Sequence, residues 1–206
     1  MKTFLTLAVF LTLSAVSAAV VAQNLTLPAP QKTGGKPLFD AISERQSTRE
    51  FSDKEISLQD LSDLLWAAYG FNRDNKRVIP TPKDSQEISV YVFVKDAVYL
   101  YDAKTNTLIH KANGDHRKKV GSQDYVYAAP VNFLYLADSS KGMGTASNIA
   151  VGCAAQDVYL VAADKGLGVV VRTGGLKENT DDLLRLLKLT KREVPIAAQT
   201  IGHKKR

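Results

Sequence analysis

Residues 44–51 read Glu-Arg-Gln-Ser-Thr-Arg-Glu-Phe, with two arginines four positions apart and two hydroxyl side chains between them. Arg45 and Arg49 carry planar guanidinium forks, each able to donate two parallel hydrogen bonds to a phosphate or carboxylate. Ser47 and Thr48 add short hydroxyl donors. These four side chains suit an anion such as a phosphate monoester. Two arginines at this spacing can equally decorate a solvated surface, so the rest of the chain must decide between the two readings.

Other chemistry is sparse. Cys153 is the only cysteine, so no intramolecular disulfide can form, and its apolar surroundings suit a small buried residue. His110, His116 and His203 lack ligand spacing, and no metal site is expected. No nucleophile or acid–base pattern stands out, so catalytic side chains stay unassigned. Basic residues cluster only at Arg117-Lys118-Lys119 and Lys204-Lys205-Arg206, without interleaved aromatics, which argues against nucleic acid. Trp66 and Tyr69 suit core or dimer contacts.

Around these residues the chain divides simply. Residues 1–22 combine Lys2, a long apolar stretch and a small-residue end, and read as a secretory signal peptide. The alternative is a retained span, and the Ala/Ser-rich end favours cleavage. The expected location is therefore periplasmic or secreted, with no stable membrane association after cleavage. Without this leader the chain has 26 basic and 21 acidic side chains, a mild excess that favours phosphates or acidic surfaces. Residues 23–36, rich in Pro, Gly, Thr and Gln, are expected to be a flexible lead-in. Residues 37–206 are expected to be one domain with a core of its own.

Within that domain, residues 37–46 suit a short helix. Ser57 to Tyr69 has the clearest helical period, through Leu58, Leu61, Leu64, Leu65 and Ala68, with Gly70 as its stop. Residues 71–86 read as loop, punctuated by Pro80 and Pro82. Ile88 to Lys95 alternates as a strand does, and 97–102, 107–110 and 131–137 follow as strands, with a helix expected over 115–128. Residues 146–165 are apolar nearly all round, predicting a buried helix that ends at Gly166 and turns into a strand at 169–171. Thr180 is expected to cap a helix, and 196–201 to form the last strand. This order predicts an α+β fold with a mixed, mostly antiparallel sheet flanked by helices.

The succession of RQSTREF, a helix ending in AAYG, PTPKDSQEISVYVF, a buried helix running into KGLGVVVRTGG, and AQTIGH resembles the nitroreductase-like FMN-dependent flavoproteins. It looks closest to their compact branch, akin to thiazoline and oxazoline dehydrogenases. The likeness runs from about Leu38 to His203. It implies a homodimer that holds FMN at the subunit interface. Arg45 matches the arginine that reaches the FMN phosphate or ribityl chain, Gln46 and Ser47 match neighbouring contacts, and Arg49 matches a basic residue near the N1/O2 edge of the ring. Thr81, Lys83, Asp84 and Gln86 fall in a loop lining the pyrimidine side. Asp84 stands where that loop usually has Asn, and its charge calls for Lys83 or Arg49 as a partner. Arg172, Thr173 and Gly174 match a strand end, beginning at Val171, whose backbone amides face flavin N5 and O4. Lys205 matches the last phosphate contacts.

The implied activity is that of an exported FMN-dependent oxidoreductase. It would transfer a hydride through flavin N5 to a small organic acceptor such as a nitroaromatic or quinone, from a donor the sequence does not identify. A cofactor that carries the redox chemistry explains why no catalytic His or Cys pattern is needed. The alternative is a non-catalytic periplasmic protein that binds flavin or another phosphorylated ligand on the same fold.

Overall fold

The computed structural model describes residues 23–142 and 144–205; the expected leader lies outside the described residues. Among the described residues there are nine strands: β1 (Leu25–Thr26), β2 (Phe71–Arg73), β3 (Lys76–Arg77), β4 (Ile88–Phe93), β5 (Ala97–Asp102), β6 (Thr107–Asn113), β7 (Val131–Asp138), β8 (Leu167–Arg172) and β9 (Glu193–His203). The helices are α1 (Leu38–Glu44), α2 (Leu58–Tyr69), α3 (Tyr125–Ala128), α4 (Thr145–Asp164) and α5 (Thr180–Leu187). Seven strands form one sheet in the order β1-β6-β5-β4-β7-β9-β8, and every one of these pairings is antiparallel.

The alternation expected in β4 is real, but both of its faces are buried. Ile88, Val90 and Val92 join Phe133 and Tyr135 of β7 under α2 and α4. Tyr91 and Phe93 join Leu134, Leu136 and the α5 residues Leu183 and Leu187 on the other side. Helices on both faces therefore make β4 and β7 the centre of the molecule. β9 runs through Pro195 because its pairing with β7 shifts register between Tyr135 and Leu136, so the missing proline N–H falls at an irregularity.

α2 begins as its sequence requires, with the Ser57 hydroxyl accepting the Asp60 N–H at 3.0 Å. It ends at Gly70, where the backbone turns extended and where a Cβ would lie 2.3 Å from the Trp66 ring. α4 packs against α2 and β8 through Ala150, Ala154, Val158 and Ala162. It is not buried all round as expected. Asn148, Ile149, Gly152 and Gln156 form an outer exposed face, with Ile149 60% exposed.

Several local expectations fail for identifiable reasons. Residues 71–86 are not all loop: β2 and β3 make a hairpin turned by Asn75 at φ 55°. The helix expected over 115–128 is split into a 3₁₀ turn at Arg117–Val120 and the four-residue α3, separated by extended Gly121. Thr180 lies inside α5, and its hydroxyl donates back to the Leu176 carbonyl at 2.9 Å instead of capping. Residues 23–36 are extended and fastened along their length. β1 pairs with β6, Leu27 is buried, the Ser62 hydroxyl donates to the Pro28 carbonyl at 2.6 Å, and the Gln31 N–H donates to Asp63 at 2.7 Å. Among the described residues no helix is long and apolar enough to cross a membrane, and no group of three His, Cys, Asp or Glu could hold a metal ion.

Candidate cofactor site

α1 stops at Arg45, whose N–H still donates to the Ala41 carbonyl. The chain then runs extended along the outer edge of β8. Ser47 bridges Val169, and the Thr48 N–H donates to the Val169 carbonyl at 2.8 Å. Gly168 permits this approach, since a Cβ there would lie 2.7 Å from the Thr48 methyl. Further on, the Ser52 N–H donates to the His203 carbonyl and the Lys205 N–H to the Glu50 carbonyl, both at 3.0 Å. The motif is thus fastened at Val169 of β8 and again at the C-terminal end of β9, and four residues of chain allow its arginine Cα atoms to stand at most about 13 Å apart. Arg49 and Lys205 are exposed at the far end of this segment; Arg45 is half-buried at the near end.

Tyr159 of α4 closes the near end. Its hydroxyl oxygen is 2.9 Å from the Ser47 hydroxyl and accepts the Val171 N–H, also at 2.9 Å. The Arg45 guanidinium lies 5.2 Å from the centre of its ring. Arg45, Gln46 and Lys204 share a narrow cleft with this tyrosine. On its other side opens a pocket of about 430 Å³, lined by Asn148, Gly152, Gln156, Tyr159, Val171 and Thr173 among others. The sequence reading did not single out Tyr159; its one signal is a lone aromatic near the end of an alanine-rich helix.

The edge of β8 has a readable pattern. Strand groups point outward at every second residue. Val169 offers its carbonyl to Thr48, and Val171 offers its N–H to Tyr159. Thr173 comes next, beyond the end of the strand, and its N–H has no protein acceptor among the described residues. The Val171 N–H, expected to face a flavin, is instead used by Tyr159. Arg172 points the opposite way: its side chain is 8% exposed behind the sheet, with Nη2 donating to Asn132 at 3.0 Å. As a side-chain cofactor contact, Arg172 is therefore misplaced. Gly174 packs against Gln123, at the start of the turn into α5.

The Thr81–Gln86 loop lies elsewhere. Pro82 and Ser85 approach Gly142, and Ser85 and Ser147 both donate to Glu87. Ser147 and Tyr159 are about 18 Å apart along α4 at 1.5 Å per residue. Lys83, Asp84 and Gln86 all have positive φ, between 49° and 57°. The hairpin holds them there. Arg77, 4.0 Å from the Tyr69 and Phe71 ring centres, donates to the Gln86 side chain at 3.0 Å, and Gln86 donates to the Asn75 carbonyl at 2.7 Å. Thr81 accepts the Gln86 N–H at 3.2 Å. Asp84 pairs with Lys76 at 2.5 Å, not with Lys83 or Arg49. That bond, with help from Gln86, holds its carboxyl below the usual range. The structure thus gathers Arg45, Gln46, Ser47 and Thr173, and sets Thr81, Lys83, Asp84 and Gln86 apart from them in a single chain.

The profile of the nitroreductase family matches residues 42–203, from α1 to the end of β9. The chain belongs to the nitroreductase family. A proposed nitroreductase from Ralstonia eutropha JMP134 shares 36% identity and superposes with a TM-score of 0.82, over 92% of this chain and 93% of that one. A proposed nitroreductase of Methanocaldococcus jannaschii is 25% identical over 185 residues, covering 81% of this chain and 91% of its own. A third, from Desulfovibrio desulfuricans, was solved in complex with FMN. It is 22% identical, covers 84% of this chain and 89% of its own, and superposes with a TM-score of 0.63, a likeness of fold. The chain thus shares the α+β nitroreductase-like fold.

Proposed function

We propose that this nitroreductase-family protein is an FMN-dependent oxidoreductase acting as an exported homodimer, beside the thiazoline and oxazoline dehydrogenases in the family. The observation that carries the reading is the β8 edge. A row of backbone groups, occupied first by Thr48 and then by Tyr159, runs out at the Thr173 N–H in a pocket of about 430 Å³. That volume is in the range of cofactor and small-ligand sites. The pocket walls from Gly152, Val171 and Ile196 suit a planar ring, and Arg45 stands beyond Tyr159, where a phosphate would find a fixed cation. These residues fit FMN.

When bound, FMN would supply two-electron transfer through N5 to a small organic acceptor such as a nitroaromatic or quinone. The protein's part is to bind and orient. Thr173 would hold the ring edge, Tyr159 would fix the pocket floor, and Arg45 with Lys204 would neutralise the phosphate. Arg49 and Lys205 extend the positive surface. No catalytic side chain is assigned.

Dimerisation explains why the Thr81–Gln86 loop lies apart from Arg45: a second copy would bring its loop to the pocket. The outer face of α4 suits that contact, since Ile149 is 60% exposed and Val171 beside the pocket 40%. On α1, Leu38, Phe39 and Ile42 are 60%, 82% and 47% exposed. Such a run of large apolar side chains is expected of an interface. Lys76 neutralises Asp84 and so removes the charge conflict that this aspartate would otherwise create near a flavin.

The test uses the purified mature chain. It should carry or take up FMN, bleach under anaerobic reductant, and recover its colour when a quinone is added. A protein that binds FMN but does not pass electrons to acceptors would be the binding protein instead. One that takes up no FMN would contradict both readings.

A further inference from the structure

Arg172 lies behind the strand end that borders the pocket. Its Nη2 donates to Asn132 Oδ1 at 3.0 Å, an oxygen that also accepts the Thr200 hydroxyl at 2.6 Å. Asn132 in turn donates to the Val126 carbonyl at 2.9 Å. Nε and Nη1 of Arg172 are buried with no acceptor. Among the described residues no carboxylate forms an ion pair with it; Asp115, on the neighbouring segment, is committed to Arg117 at 2.6 Å. The Gly121 backbone lies against the guanidinium, where a Cβ would come within 2.7 Å of Nε. Burial lowers the pKa of Arg172 to about 10, which leaves it charged at neutral pH.

A buried cation without a counter-ion opposes folding, and a neutral side chain of similar length would fill the same space without that cost. Anchoring to Asn132 does not require the charge. The pocket, however, is lined by the two residues flanking Arg172, Val171 and Thr173. The guanidinium lies on the buried side of the strand end whose flanking residues border the pocket, and a field crossing protein is screened far less than one crossing salt water.

We propose that Arg172 is a tuning residue: its uncompensated charge, acting through the strand end, favours the more negatively charged redox state of FMN in the pocket and raises the cofactor's reduction potential. This rests on the reading of the pocket as the FMN site. Gly121 belongs to the device, because its lack of a side chain lets the guanidinium stay dry and close to the sheet.

The experiment is spectroelectrochemical titration of the FMN-loaded parent, Arg172→Met and Arg172→Lys proteins, with thermal melting of each apoprotein. Arg172→Met should lower the midpoint potential by about 30 mV or more, a tenfold change in the two-electron equilibrium. Arg172→Lys should keep most of the parent value. Apo Arg172→Met should melt no lower than the apo parent, since it loses an unpaired charge. A folded, FMN-loaded Arg172→Met at the parent potential overturns the proposal, and so does an equal drop in Arg172→Lys. If Arg172→Met does not fold, Arg172→Gln, which keeps an amide donor for Asn132, gives the same comparison. A parent that takes up no FMN defeats the pocket reading itself, a result distinct from an unchanged potential.

Discussion

The hydroxyl groups of Ser47 and Tyr159 stand 2.9 Å apart, and this contact joins the arginine segment to α4. The same tyrosine oxygen accepts the Val171 N–H, so it also fixes the edge of β8. The arginine segment, α4 and β8 thus meet at one atom.

Replacing Tyr159 with Phe removes both bonds and little else. At about 1 kcal/mol for each bond, the variant should lose about 1–2 kcal/mol of stability. Its FMN affinity should fall several-fold as the pocket floor loosens. Thermal unfolding and a flavin titration measure the two effects; parent-like values in both would deny the tyrosine its role.

The two arginines should behave differently. Arg45 lies over the Tyr159 ring beside the cleft, while Arg49 is exposed farther along the segment. A charge-assisted hydrogen bond contributes about 1.5–3 kcal/mol, so Arg45→Ala should weaken FMN binding roughly tenfold to a hundredfold. Arg49→Ala should keep most of the binding. Equal, parent-like affinities in both variants would remove the arginines from the site.

Much of this arrangement was legible in the sequence, and the rest was hidden for physical reasons. α2 and α4 follow from apolar period and composition, and the strands from alternation. The two-residue β1 and the β2–β3 hairpin have too few residues for a period to show. The motif's extended conformation depends on Gly168, because only a bare backbone lets Thr48 approach β8. Tyr159 was hidden because a hydroxyl's partners are tertiary. The direction of Arg172 follows from strand parity once β8 is in register: Val171 faces the pocket, so its neighbour must face the core.

Asp157 gives a pH signature. Burial raises its carboxyl pKa to about 6. The folded state therefore binds the proton more tightly than the unfolded chain does. Its stabilising protonation is complete below the unfolded value of about 4 and is lost as pH rises through about 6. Asp157→Asn should melt higher than the parent at pH 7–8, with the difference shrinking toward pH 4. A difference between the two proteins that does not change with pH would contradict this assignment.

Ile149 tests the proposed subunit interface. It is 60% exposed on the outer face of α4, next to the pocket residue Asn148. Ile149→Asp would place a charge on the proposed contact and should convert the proposed dimer to monomer, with loss of FMN following dissociation. Light scattering with chromatography reads the mass, and absorbance reads the cofactor. A variant that remains dimeric and fully loaded would move the interface elsewhere.

The most direct measurement is the FMN content of the isolated mature protein after incubation with excess cofactor and removal of the unbound fraction. The account predicts one FMN per chain, carried by a dimer. A folded protein that retains none would contradict it.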